Sequence, residues 1–530
     1  MIIVVIGLSC RTPFIQSEKT ISLPHTDEYS DEDLYIQQHF DTPTTVPADM
    51  KLHGTLIISL EDAVFMALEN NRSLQVERIR PVIAGTFEML ERGAFDPVLF
   101  WEADAIRERT ERFPDELDEP ISDFREQLWN RAGMHQFLPS GTEIELGISH
   151  RTIDSDRVDL TQHAMRAGLS VTQSLLRGRG MEVNLAEVRR ARLDMLASEF
   201  ELRSFAEALI AEVETSYWDY VRAMREIDIF EESLEFAKRQ LQATRDRIEL
   251  GEIAAAEITA AETEVALRNQ ALIDARSDKE ILRLRLIRLL SPDSFDEGWD
   301  LEIEVPDEHD QPNLELDELI HHVQAARAWR SEIHESLLQL ENRNIEVIQT
   351  RNGLLPKLDF FVTLGKTGFA DSFGDAVRNI DGDGYDVMAG IRAEYALSNR
   401  QARASHIGAR ASRRQAEESI RNLMQLIELD VRTAYTEAVR SKKQVSASAA
   451  TRRLQEEVLR TEMEKFETGL STVLDVALVQ RDLLAANIDE AGAIIDFRKA
   501  LVDLYRLEGT LMARRGIGGP GEWNLPPWGE

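Results

Sequence analysis

Residues 258–289 read ITAAETEVALRNQALIDARSDKEILRLRLIRL. Ile258, Ala261, Val265, Arg268, Leu272, Ala275, Lys279, Leu282, Leu286 and Leu289 step by three and four. That stride marks a helix burying one narrow seam against a partner helix. The pattern returns 218 positions on, from Val476 to Leu507, as VALVQRDLLAANIDEAGAIIDFRKALVDLYRL. Arg268, Lys279 and Glu490 are its polar exceptions, and they are expected at a wet edge of the seam.

Working outward, the same offset pairs Tyr217 with Tyr435, Val221-Arg222 with Val439-Arg440, and Gly251 with Gly469. One unit is written twice, over 56–300 and 301–512. The acidic, proline-bearing segment 291–313 reads as the linker between the copies. Each unit reads as helix, two strands, long helix, turn, long helix. The first helix starts at Ser59, an N-cap with Asp62 three residues on, and runs to about Glu91. Strand character lies at 97–106, 142–152 and 164–175, and in the second unit at 356–364 and 385–397. The long runs 182–250 and 401–468 hold no proline. Each would span about 100 Å as a helix. The fold class is mainly α with a β portion. Two strands per unit leave a four-stranded set with open edges. Several copies of the chain, each donating four strands, would close a barrel whose helices continue as a tube.

The chain has 530 residues and a net charge of −34. Phosphate binding needs a basic face, so no nucleic acid is expected as partner. A single cysteine excludes an internal disulfide and a cysteine-based zinc site. No apolar run of about 18 residues marks a transmembrane helix, a test to which barrel strands are blind. Residues 1–10 read as the back half of a secretory signal, with Cys10 placed as in a lipoprotein cleavage site and a candidate for lipidation. Residues 11–55 read as an extended acidic tether, and 513–530 as a Gly/Pro-rich tail. Gly516 to Gly521 fits G-x-G-x-x-G but lacks the flanking strand and helix. Asn379 to Gly384 resembles the start of a calcium loop but has Gly390 at the twelfth position, so a turn is expected. His321-His322 has no companion at metal spacing. No catalytic, cofactor or metal site is expected.

Four motifs carry a resemblance to the TolC-like outer-membrane efflux protein family, spread over roughly residues 56–512. They are Leu60-Glu61-Asp62-Ala63 with Ala67-Leu68-Glu69-Asn70-Asn71, and Gly93-Ala94-Phe95-Asp96-Pro97 before a strand. The third is Thr172-Gln173-Ser174-Leu175-Leu176-Arg177-Gly178, with Ser174 where many relatives have Pro. The fourth is Phe466-Glu467-Thr468-Gly469-Leu470 with Leu474-Asp475-Val476. The resemblance implies a homotrimer in the Gram-negative outer membrane, with a 12-stranded barrel and a periplasmic helical tunnel. It implies a passive duct of a tripartite efflux or type I secretion system, working with a periplasmic adaptor and an inner-membrane pump. By the same resemblance, Leu250, Gly251, Glu252, Thr468, Gly469 and Leu470 form adaptor-docking tips. Asp475 and Glu257 line the pore constriction, and Arg247 and Lys465 are candidates for gating. Relatives carry Arg and a second Asp where this chain has Ser471 and Leu478. Phe100, Trp101, Phe360, Phe361 and Tyr395 are expected at the bilayer interface. The alternative is a periplasmic coiled-coil scaffold without a pore.

Overall fold

The computed structural model describes residues 55–112, 121–155, 158–290, 298–306 and 316–518. All belong to the unit His53–Glu530. Cys10, the leader and nearly all of the tether lie outside the described residues.

A short strand, β1 (Thr55–Ile57), leads into α1 (Leu60–Asn70) and α2 (Arg72–Arg92). Ser59 and Asp62 make the reciprocal capping box that starts α1. The expected single helix to Glu91 is two. Asn71 has extended backbone, φ −61° and ψ 116°, and serves as C-cap of one helix and N-cap of the next. Its side chain accepts from Leu74 N–H and donates to Leu289 O at 3.0 Å, so a tertiary contact fixes the break.

Four strands follow: β2 (Val98–Arg112), β3 (Ile121–Leu138), β4 (Thr142–Ser155) and β5 (Val158–Ser174). Then come α3 (Ala186–Glu249), α4 (Glu257–Leu290) and β6 (Glu302–Glu304). The second half holds α5 (Leu319–Trp329), α6 (Ser331–Gly353), β7 (Lys357–Ala370), β8 (Tyr385–Glu394), α7 (Arg400–Glu467) and α8 (Val473–Glu508). A helical turn, Leu511–Arg514, ends the described chain. The segment at 379–384 forms part of the β7–β8 turn. Among the described residues no helix is long and apolar enough to cross a membrane.

Two expectations need correction. The stretch read as linker contains β6, which pairs in parallel with β1, and Tyr220 donates its hydroxyl to Ile303 O at 2.8 Å. Among the described residues the main sheet has six strands, not four, in the order β2-β3-β4-β5-β7-β8, antiparallel throughout. Five of the six coincide with stretches of strand character, β2 extending past Ile106, and β3 is the strand the sequence did not show. Arg125, Glu126, Gln127, Asn130 and Arg131 hide β3 in the sequence, since polar residues are poor strand markers. Twelve strands from three copies therefore does not follow from this chain. Among the described residues, β2 and β8 are the sheet's unpaired edges.

The helical seam points inward. Ala261, Leu272, Ala275, Leu286 and Leu289 are buried, as are Val476, Ala486, Ala493, Phe497, Ala500 and Leu504. The polar exceptions find partners: Arg268 bonds Glu264, Glu490 meets Arg452, and the Lys279 ammonium lies 5.8 Å from the Tyr220 ring centre. A second core joins α5, α6, α7 and α8 through Val323, Ile333, Ile427, Val431 and Leu504.

Candidate functional site

The two helical hairpins turn at equivalent glycines. Gly251 and Gly469 both have φ +75°, a backbone region that costs an L side chain strain. At the first turn, Glu252 N–H donates to Arg247 O at 2.9 Å and Gly251 N–H to Ile248 O at 3.0 Å. At the second, Leu470 N–H reaches Lys465 O at 2.8 Å and Gly469 N–H reaches Phe466 O at 3.1 Å. Each is a Schellman closure, which satisfies the last carbonyls of a helix. Leu250 and Leu470 stand 74% and 81% exposed at the two apices, beside Glu252 and Thr468.

Beyond the glycines the turns differ. Thr472 caps α8: its hydroxyl accepts from Asp475 N–H at 3.2 Å, and Asp475 Oδ2 accepts from Thr472 N–H at 3.1 Å and from its hydroxyl at 2.7 Å. These bonds hold the exposed Asp475 carboxyl below its usual value. In the first hairpin the same positions are Ala254 and Glu257. Ala254 offers no capping oxygen, and half-buried Glu257 simply opens α4.

Arg247 links the hairpins. Its Nε donates to Glu252 Oε2 at 3.0 Å, its Nη1 to Phe466 O at 3.1 Å, and its Cζ sits 4.7 Å from the Phe466 ring centre. Phe466 is buried with Ala261, Val473 and Val476. Lys465 instead bonds Glu462 on its own helix at 2.9 Å, and Glu462 also accepts from Ser471. The geometry thus joins Arg247 to the second hairpin and leaves Lys465 on its own. The sequence reading overlooked Thr472, although its Thr-x-x-Asp spacing is a capping signature.

The sheet is the other candidate surface. One register row reads Leu99, Met134, Leu146, Leu169, Leu364, Val387 across the six strands. The neighbouring row reads Val98, His135, Glu145, Ser170, Thr363, Met388. Side chains alternate between faces along a strand. One face therefore gathers Leu99, Trp101, Met134, Ile148, Val171, Val362 and Ile391, and the other Glu102, Arg131, Glu145, Arg166, Asp386 and Arg392. On the polar face Arg131 meets Glu145 and, at 3.8 Å, Glu102, while Arg166 pairs with Asp386 at 2.5 Å. The pleat also splits the aromatics expected together at an interface. Trp101 and Phe360 lie on the apolar face. Phe100 and Phe361 lie on the polar one, where Phe361 sits under the Arg392 guanidinium at 5.5 Å.

The sequence profile described as outer membrane efflux protein matches residues 136–291 and 322–510. No individually curated protein matches. Among solved structures, a Pseudomonas aeruginosa membrane protein is 19% identical, with a TM-score of 0.63 over 85% of this chain and 90% of that one. The Campylobacter jejuni CmeC outer membrane channel is 16% identical, at 0.60 over 85% and 86%. The open state of the Neisseria gonorrhoeae MtrE outer membrane channel is 17% identical, at 0.56 over 85% and 89%. With the profile covering well over half of its length and both hairpins and the sheet in place, this chain belongs to the outer membrane efflux protein family, whose members are channels of the outer membrane with helices reaching into the periplasm.

Proposed function

We propose that three copies of this chain close a barrel across the outer membrane and align their hairpins into a periplasmic duct. Exported molecules, handed over by an inner-membrane pump through an adaptor of a tripartite efflux or type I secretion system, leave through it passively. The observation carrying this reading is a sheet with one apolar face and two unpaired edges. Lipid covers the apolar face, and neighbouring copies pair the edges. A pore-less periplasmic scaffold has no use for either.

In this reading the apices, Leu250-Gly251-Glu252 and Thr468-Gly469-Leu470, dock the adaptor through their exposed leucines. Asp475 and Glu257 line the narrow end, where a ring of carboxylates favours cations. Arg247 holds the hairpins together in the closed state, with Lys465 beside it. Cys10 carries a lipid anchor. Membrane fractionation tests the whole. A detergent-extracted trimer that conducts ions in planar bilayers is expected, and quantitative recovery of the chain in the soluble fraction overturns it.

A further inference from the structure

We infer that all six strands of the main sheet are barrel wall, so that three copies close an eighteen-stranded barrel; this rests on the trimeric outer-membrane reading above. The alternative for the additional hairpin, β2 with β3, is a flap folded off a four-stranded wall. Three observations oppose it.

First, the hairpin shares the two-faced register of the rest. Leu99 and Met134 continue the apolar row of Leu146, Leu169, Leu364 and Val387, and His135 continues the polar row of Glu145, Ser170 and Thr363. A flap in water gains nothing from an apolar face aligned with that of the wall. Second, four glycines stand in one row across β3, β4, β5 and β7: Gly133, Gly147, Gly168 and Gly365. A Cβ on Gly133 would lie 2.5 Å from Leu146 O and 2.8 Å from Phe100 Cζ, and one on Gly365 would lie 2.7 Å from Arg166 Nη2. The Phe100 ring and the Arg166 guanidinium lie along this line on the polar face. Rows of glycine let a sheet curve, and this row runs unbroken from β3 through β4 and β5 to β7. Third, the β3–β4 turn is stitched to the sheet's helical base. Gly180 N–H donates to Ser140 O at 3.1 Å, and Asn184 donates to Pro139 O at 3.0 Å and Gly178 O at 2.8 Å.

Barrel diameter grows roughly linearly with strand number, so eighteen strands open a lumen about one and a half times as wide as twelve. Barrels of about 16–18 strands hold water rather than a side-chain core. The membrane portion then sets no size limit of its own, and selection falls to the hairpin tips.

The test places single cysteines in two register rows: Met134→Cys and His135→Cys on β3, with Leu364→Cys and Thr363→Cys on β7 as reference. Full-length protein in outer-membrane vesicles is treated with a membrane-impermeant maleimide, and the parent chain with Cys10 alone gives the background. His135→Cys and Thr363→Cys are expected to label at least about tenfold faster than Met134→Cys and Leu364→Cys. If the β7 pair alternates while the β3 pair labels equally, the six-stranded wall is refuted and the outer-membrane reading stands. If neither pair alternates, the outer-membrane reading falls as well.

Discussion

At the scale of single residues, the tip glycines combine a left-handed backbone with empty surroundings. No atom lies within 4 Å of where a Cβ on Gly469 would sit, so a side chain there starts into open space. Gly469→Trp then costs the backbone strain of a left-handed L residue, about 1–2 kcal/mol. In the proposed duct, the variant should still assemble on a native gel yet lose export, because the new ring covers the apex proposed to dock the adaptor. Undiminished export would remove the apex from the docking surface. Asp475 separates charge from shape. Its folded carboxyl titrates below the unfolded value, so its contribution is present above that value and is lost as pH falls through the folded one. The first turn of α8 should therefore fray, by hydrogen exchange, only below about pH 4. At neutral pH, Asp475→Asn should weaken cation block in planar bilayers. The glycines were legible because they recur at a fixed offset. Arg247 was legible only as a position one turn before a glycine, since its partner Phe466 lies 219 residues away and no local pattern links them.

At the scale of elements, the seams of α4 and α8 were readable because burial imposes a period on the residues that face inward. Strand β3 was not, because one of its faces carries Arg125, Gln127 and Arg131, and the face it shares with Met134 carries Glu126 and Asn130. The break at Asn71 escaped for another reason: the bond that fixes it runs to Leu289 in a distant helix. On α3 the pair Arg203 and Glu207 is buried. Burial, opposed by the Arg203 guanidinium, pushes the Glu207 carboxyl up to about 7. Folding thus favours its protonated form. That stability is full below the unfolded value of 4.5 and is lost as pH rises through about 7. The wild-type protein should melt lower at pH 8 than at pH 5, and Glu207→Gln should flatten the difference. An unchanged pH profile in the variant would show that the carboxyl is already ionised in the fold.

At the scale of the whole described unit, the turn Leu511–Arg514 and the residues just past it tie the segment after α8 to the first long helix. Glu214 and Glu508 are both fully buried, one on α3 and one at the end of α8. Past Gly509 the chain supplies their partners. Arg515 reaches Glu214 with two bonds, at 2.7 and 2.6 Å, while Thr510 donates to Glu508 at 3.0 Å and Arg514 approaches it at 3.5 Å. His322 of α5 completes the Glu508 site. A buried carboxylate deprived of its cation costs more than the pair contributes when intact, because desolvation remains and attraction does not. Arg515→Met should therefore destabilise the protein by about 3–5 kcal/mol. Replacing both partners, Glu214→Leu with Arg515→Met, leaves no stranded charge and should restore most of that loss. Denaturant midpoints of the two single variants and the double variant close the cycle. If the double variant is no more stable than Arg515→Met alone, the turn holds through Leu511 and Met512, which are also buried, and the ion pair is incidental.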